Sequence, residues 1–486
     1  MALNDKHKDY VAMAPKWQRC RDVSAGQDSI HAAGEAYLPK LKDQTQEDYA
    51  AYVKRATFYN ATWRTIAGLL GMLFRKSPDL EVPVGLEDHI SDVTMSGVPF
   101  QIFAQQIAEE CMVVGRVGVF VDYPVVDTET MTEADVLALN LRPSMNIYKA
   151  ESIINWRCRR VNNKYVLSQV VLKEVHSEQV DEFTDGKPED RYRVLDLVDV
   201  ASGESVRTVY RIRLFKLDER GNPIQIGVDS IPQMNGDPLA FIPFYFIGVD
   251  DTTPDVDEPP LIDLVDINLS HYLTMADWEH GAHFTGLPTP VVSGYSPPNN
   301  DGEAPDKLYI GSTTAWVFTD PLAKAAYLEF TGQGLGTLKD LCERKELMMA
   351  ILGARMLEVQ KKGVESADAA GIHRSGEQAT LASAAQAISM GLAQALQTFS
   401  EWAGMSGGVK FSLNREFMPT QMDAEKLTAL IMGWQKGAYS YDTLFSNLKQ
   451  GEVISIEATP ESEQAKMKSG APVAADPSAS VPSAAS

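Results

Sequence analysis

The stretch TLASAAQAISMGLAQALQTFSEWAG, Thr380 to Gly404, decides how this chain is read. Within it Leu381, Ala385, Ile388, Leu392, Leu396, Phe399 and Trp402 recur every three or four residues, the period of one helical face. Proline is absent, Gly391 is the one interruption before the end, and Ala, Gln, Leu and Met fill the remainder. At 1.5 Å per residue the helix would be roughly 35 Å long. Upstream, Leu338, Leu341, Arg344/Lys345, Met348/Met349, Leu352 and Met356 outline a second helix, so the pair spans Leu335 to Gly404. Between them KKGVESADAAGIHRSGEQ carries no apolar period and reads as a mobile loop over 359–378. Much of the pair is Ala, Gly, Ser and Met, which allow close backbone approach but bury little area each. Two readings fit. Either identical chains in a ring supply the missing neighbours, or the pair is an internal hairpin of a large α+β protein.

The chain has 486 residues, enough for two to four domains with real cores. Its 44% hydrophobic and 23% charged residues are those of a globular protein. A net charge of -22 opposes general coating of nucleic acid, which needs Lys and Arg against phosphate. It leaves room for a channel through which DNA passes without sticking. Cys20, Cys111, Cys158 and Cys342 are scattered with no CxxC pair, and are expected to be reduced thiols. The polar start predicts no signal peptide, and no apolar run of 18 residues predicts a membrane span.

Along the chain, residues 1–80 read as helical, with a short extended piece at Gly34–Lys40. One long helix is expected from Gln46 to Lys76, stopped by Pro78. Another helix covers 98–113 and turns through Gly115 into a buried strand ending at Asp122. Residues 145–250 change to period two. YVLSQVVLKEV, RYRVLDLVDV, SVRTVYRIRLFKL and PLAFIPFYFIG read as successive strands of an antiparallel meander, which Ile153–Trp156 also enters. After Pro259-Pro260 a helix runs to the prolines at 288 and 290, and a small strand-and-turn unit follows over 291–330. A short strand, GGVKFSLN, and helices at 423–437 and 441–449 complete the ordered part, with Ser440 placed to cap the last. The tail from Glu461 has almost no aliphatic bulk and is expected to be disordered.

Chemistry finds little purchase. His271, Asp277, Glu279, His280 and His283 form the densest set of metal-ligand types, and His280 and His283 share a helix face. Their order is Glu-His-x-x-His rather than the His-Glu-x-x-His of zinc proteases, and no third ligand is evident, so no metal and no cofactor are assigned. The glycines around Arg116 match neither phosphate-loop spacing, and no G-x-S-x-G elbow occurs. No catalytic residues are assigned and no enzyme activity is expected. The loop over 359–378 is the exception of interest, because Lys361, Lys362, His373 and Arg374 stand there in an otherwise acidic chain. It reads as a transient polyphosphate contact or as an ordinary surface loop.

The order of elements, with Tyr37-Leu38-Pro39-Lys40, Tyr49-x-x-Tyr52-x-x-Arg55-Ala56-x-Phe58-x-Asn60, Gly71-Met72-Leu73-Phe74-Arg75-Lys76, Gly115-Arg116-x-Gly118-x-x-Val121-Asp122, Ile153-Ile154-Asn155-Trp156 and Trp434-x-x-Gly437-x-x-Ser440, resembles the portal proteins of tailed bacteriophages, specifically an uncharacterised phage family with a portal-like fold. The similarity covers about residues 10–460. The resemblance implies an α+β portal fold: wing 1–258, stem helices 259–285 and 333–357, and clip 286–332. Residues 358–420 would supply the tunnel loop, a long helix over 379–403 and a return to the wing. A short crown at 421–460 and a disordered tail at 461–486 would follow. It further implies a homo-oligomeric ring, usually a dodecamer, at one capsid vertex of the virion, assembled in the host cytoplasm. Double-stranded DNA would enter at packaging and leave at ejection, without sequence specificity. Partners would be the terminase large subunit, a head–tail adaptor, and the major capsid and scaffolding proteins, with no membrane. The alternatives are another ring-forming head–tail connector or adaptor, and a metal-dependent phage enzyme.

Overall fold

Helix α1 (Lys8–Ala25) begins where the His7 ring accepts a hydrogen bond from the Asp9 backbone N–H, and it buries Tyr10, Trp17, Cys20 and Val23 along one face. The computed structural model describes residues 2–124, 138–161, 163–184, 186–202, 205–286, 289–293, 322–328, 332–357, 367–415, 417, 424–450, 453–454 and 459–462. The chain divides into two units, Met1–Phe74 with Pro78–Leu413, and Arg75–Ser77 with Asn414–Ser486.

In the first unit α2 (Gln27–Ala33) runs into a 3₁₀ turn at Gly34–Ala36 instead of an extended piece. The single helix expected from Gln46 is two, α3 (Gln46–Arg55) and α4 (Ala61–Leu73). The break has a local cause. Thr57, Phe58 and Tyr59 are weak helix formers, and the Asn60 side chain accepts from the Trp63 N–H at 2.9 Å, starting a new helix. Strand β1 (Asp79–Glu81) and the short α5 (Glu87–Ile90) lead to α6 (Phe100–Val114), which buries Phe100, Phe103, Ala104, Ile107, Ala108 and Cys111. Gly115 closes α6 in the left-handed conformation, at φ 83°.

Strand β2 (Arg116–Asp122) pairs with β3 (Ser144–Lys149). Five long strands then form an antiparallel meander in chain order: β4 (Ile153–Val161), β5 (Lys164–His176), β6 (Glu189–Ser202), β7 (Ser205–Leu217) and β8 (Pro223–Ser230). The expected meander is there, with two corrections, of which the first is that β8 closes it although no strand was expected over Pro223–Ser230. After the two-residue strands β9 (Gln233–Met234) and β10 (Asp237–Pro238), β11 (Phe244–Gly248) leaves it and pairs with β2, giving a separate sheet in the order β11-β2-β3. Gly118 explains the choice. A side chain there would collide with the Phe244 ring and come within 2.9 Å of Ile153 Cδ1, so the missing Cβ makes the slot that Phe244 fills.

The two sheets are joined by Arg116, only 2% exposed, whose guanidinium carbon lies 4.3 Å from the Trp156 ring centre and 4.4 Å from that of Phe246. Its Nη2 donates to Pro254 O at 3.2 Å, and its Nε and Nη1 find no hydrogen-bond partner among the described residues. Burial pushes its pKa down to about 9, against the opposing pull of Asp257, Asp9 and Asp255. Arg21 ties α1 to α6 and to the turn before β4, donating to Glu110 at 2.6 Å and to Glu151 at 2.8 Å.

Helix α7 (Ile262–Gly286) is followed by the antiparallel pair β12 (Thr289–Ser293) and β13 (Lys324–Leu328), and by α8 (Gln333–Leu357). Of the strand-and-turn unit expected over 291–330, residues 294–321 lie outside the described residues. Helix α9 (Ala367–Trp402) then runs for 36 residues to the loop before β14 (Lys410–Ser412), which pairs with β1. Ala385, Ile388, Leu392, Leu396 and Phe399 are all buried inside this one chain. This corrects the expectation that the small-residue helix lacks neighbours of its own. Gly391 shows why: a Cβ there would lie 2.6 Å from Ile247 Cγ1, so the small residues let α9 close onto β11. Ser389 Oγ accepts from the Leu413 N–H at 2.9 Å, and Trp402 Nε1 donates to Gln233 O at 2.9 Å.

In the second unit, α10 (Ala424–Gln435) and α11 (Tyr441–Gln450) pack on each other, and Ser440 Oγ accepts from the Thr443 N–H at 3.2 Å as expected.

Gly118→Ala should lower stability by about 1–3 kcal/mol through overpacking at Phe244. Gly336→Ala, on α8 with nothing within 4 Å of the new methyl, should raise it by about 0.5–1 kcal/mol. Thermal melts of both variants check the pair.

Candidate functional site

Helices α7 and α8 run antiparallel, with Gly281 beside Leu335 and His271 beside Glu346. Prolines at 259–260 and 288–290 punctuate the sequence around α7, which is why its limits fall where the spacing predicted. Helix α7 docks on the earlier helices through polar contacts. Asn268, fully buried, accepts from the Thr62 N–H at 3.2 Å and its hydroxyl at 3.0 Å, and donates to Tyr59 O at 2.8 Å. Every group is satisfied, so the buried amide fixes one register between α4 and α7.

The metal-ligand types on α7 are used in the same way. Asp277 accepts from Tyr52 Oη at 2.6 Å, which together with burial raises that phenol's pKa, burial being the larger cause. Glu279 accepts from the Thr57 N–H at 2.8 Å, and His280 Nδ1 lies 3.3 Å from Arg55 Nη2. Burial, with Arg55 and His283 adding to it, lowers the His280 pKa. His271 is fully buried one face away, with Nε2 3.3 Å from Glu346 Oε1. Burial lowers its pKa more than the Glu346 carboxylate raises it. Among the described residues no group of three or more His, Cys, Asp or Glu is placed to hold a metal ion. Spacing on one helix suggested a cluster. The partners Tyr52, Arg55 and Thr57, which turn that cluster into a helix-docking surface, sit more than 200 positions away and left no mark beside it.

Helix α8 is held along one stripe only. Cys342 and Met349 are buried, and Lys345 Nζ donates to Ser270 O at 2.8 Å and to Thr274 Oγ1 at 2.6 Å on α7. Among its described side chains, those facing away from that stripe are largely exposed. Leu347 is 62% exposed, Met348 43% and Leu341 41%, three large apolar side chains on two turns of one helix. Beside Leu347 a groove of about 580 Å³ opens between α8 and α4, lined by Tyr59, Arg64, Thr65, Glu343, Glu346 and Met349. The pair β12–β13 at the far end of α7 and α8 also exposes Val291 and Tyr327. These surfaces suit association through apolar contact, with charged residues at the rim.

Of the residues proposed to meet DNA, Lys361 and Lys362 lie outside the described residues. His373 and Arg374 stand on the backbone of α9, because that helix starts at Ala367. The expected loop over 359–378 is therefore corrected over its second half. Ala369, Ala370, Glu377 and Gln378 are good helix formers with no proline among them, and they carry the helix through Gly371 and Gly376. No helix among the described residues is long and apolar enough to cross a membrane.

Comparison with known proteins gives few anchors. Residues 260–403, the span of α7, the β12–β13 pair, α8 and α9, match a family described as a domain of unknown function (DUF4055). No curated protein matches. Among solved structures, a chain from the neck of an empty gene transfer agent (GTA) particle is 9% identical, covering 84% of this chain and 94% of that one, with a TM-score of 0.35. A chain from the virion of the native GTA particle is 10% identical over 85% of this chain and 95% of that one, with a TM-score of 0.34. One from the neck of the native particle is 8% identical over 86% and 98%, with a TM-score of 0.33.

Proposed function

We propose that this chain is a portal-type protein: copies assemble into a closed ring at one vertex of a phage-like capsid, through which double-stranded DNA passes at packaging and ejection. The observation that carries the reading is the open apolar face of α8. A helix of 25 residues held along one stripe, with Leu341, Leu347 and Met348 in solvent, is stabilised when a neighbour covers it. A closed cyclic symmetry gives every copy the same neighbour and leaves no face unpaired. The six sequence motifs shared with the phage portal group support the same assignment, as does the acidic balance, which keeps DNA from adhering to a conduit.

In this reading α7 and α8 are the stem and residues 286–332 the clip. Residues 1–258 make most of the wing, 404–420 return to it, and α10 with α11 forms the crown. The tunnel-facing segment is 358–366 together with the start of α9, which takes over the second half of the expected loop. Lys361, Lys362, His373 and Arg374 remain its cations. Subunit contact falls to α8 and the β12–β13 pair rather than to α9, whose second half is already covered within the chain. The terminase large subunit, a head–tail adaptor, and the capsid and scaffolding proteins are the partners this role requires.

Single-particle images of the purified protein should show rings with a central hole. Leu347→Glu combined with Met348→Glu should leave monomers with unchanged far-UV circular dichroism; intact rings from that variant would remove α8 from the interface. Replacing Lys361, Lys362 and Arg374 by alanine should leave rings intact while lowering the amount of DNA retained per particle. Normal packaging in that triple variant would take the segment out of the mechanism.

A further inference from the structure

The segment Ala2–His7, ahead of α1, crosses β4, the edge strand of the five-stranded sheet. His7 N donates to Ile154 O at 2.9 Å, and Asn155 Nδ2 donates to Asp5 O at 3.0 Å. The His7 ring stacks on Trp156 with centroids 4.0 Å apart and planes 27° from parallel. The other face of the same indole carries Arg116. His7 thus meets the Trp156 side of the sheet, while on the opposite side Ala2 and Leu3 border a trough of about 660 Å³, floored by Asn155, Gln169, Val194, Arg213 and Phe215.

We propose that Ala2–His7 is a strap released by acid: a proton on His7 removes the cap of α1 and lifts the segment off Trp156, opening the trough on the sheet. Neutral His7 holds the strap because its Nδ1 lone pair accepts the Asp9 N–H at 3.3 Å. A proton at Nδ1 turns that acceptor into a donor facing a donor. It also sets a cation at a helix N-terminus, where the macrodipole opposes it, and across one indole from the Arg116 cation. The charged groups around the imidazole divide. Asp9, 3.4 Å from Nδ1 on the same helix, and Asp255 on the loop before α7 favour the charged form, while Lys8 and Arg116 oppose it. Burial is the largest influence and places the folded value below the usual 6.5. The sign follows. Docking contributes fully above the unfolded value and is lost as pH falls through the folded one.

A nitroxide on Asn4→Cys reads the strap directly in the full chain, in a Cys158→Ser background because Cys158 is the exposed thiol while Cys20, Cys111 and Cys342 are buried. The label should be immobilised at about pH 7.5 and largely mobile at about pH 5, with far-UV circular dichroism unchanged. His7→Asn, which keeps a neutral cap acceptor, should stay immobilised at both. An immobile label at the lower pH, release in the His7→Asn variant at the same pH, or release only together with loss of circular dichroism would each overturn the proposal.

Discussion

Arg116, flattened between Trp156 and Phe246, is the joint on which the first unit depends. It stands at the start of β2, against rings supplied by β4 and β11, and so ties the three-stranded sheet to the five-stranded one. A guanidinium suits the position as an ammonium would not, because its planar, weakly hydrated face stacks on aromatic rings. The cost of burying it appears in the lowered pKa and in two nitrogens without hydrogen-bond partners among the described residues. The rings and the Pro254 carbonyl offset that cost only while all three elements are in place. The joint therefore links the order of the N-terminal helices, both sheets and the loop before α7.

Motif residues that looked unrelated in sequence meet here. Gly115 ends α6, Gly118 makes room for Phe244, Ile154 and Asn155 anchor the segment before α1, and Trp156 holds both His7 and Arg116. Neither glycine beside Arg116 serves a phosphate: Gly118 is a steric requirement of strand packing, and Gly115 is the left-handed end of α6, with the Glu258 carbonyl close by. Their spacing gave no hint of that, since the groups that demand it come from residues 153, 244 and 258.

Legibility tracked how each element marks its sequence. Prolines and apolar period gave α7 and α8, and alternation gave β5 to β7. Alternation shows that a strand exists but not which strand it joins, so β11 was assigned to the wrong sheet. The first third of α9 has no apolar stripe, and a helix without a stripe reads as a loop. The small residues of α9 were ambiguous in principle: alanine and glycine permit close approach without saying whether the approaching surface belongs to the same chain. Gly391 against Ile247 answers in favour of the same chain, while α8, whose larger side chains looked like ordinary core, is left half bare. The metal-ligand types on α7 failed as a site for a related reason, since the residues that occupy Asp277, Glu279 and His280 come from α3 and its exit loop, and the partner of His271 comes from α8.

Helix α9 is set into the core from Leu381 to Trp402, about 32 Å of its length. With Gly391 directly against Ile247, no slack separates the helix from β11. The two therefore move as one body: a shift of the strand is carried along the helix axis, and a push on this part of the helix is felt at β11.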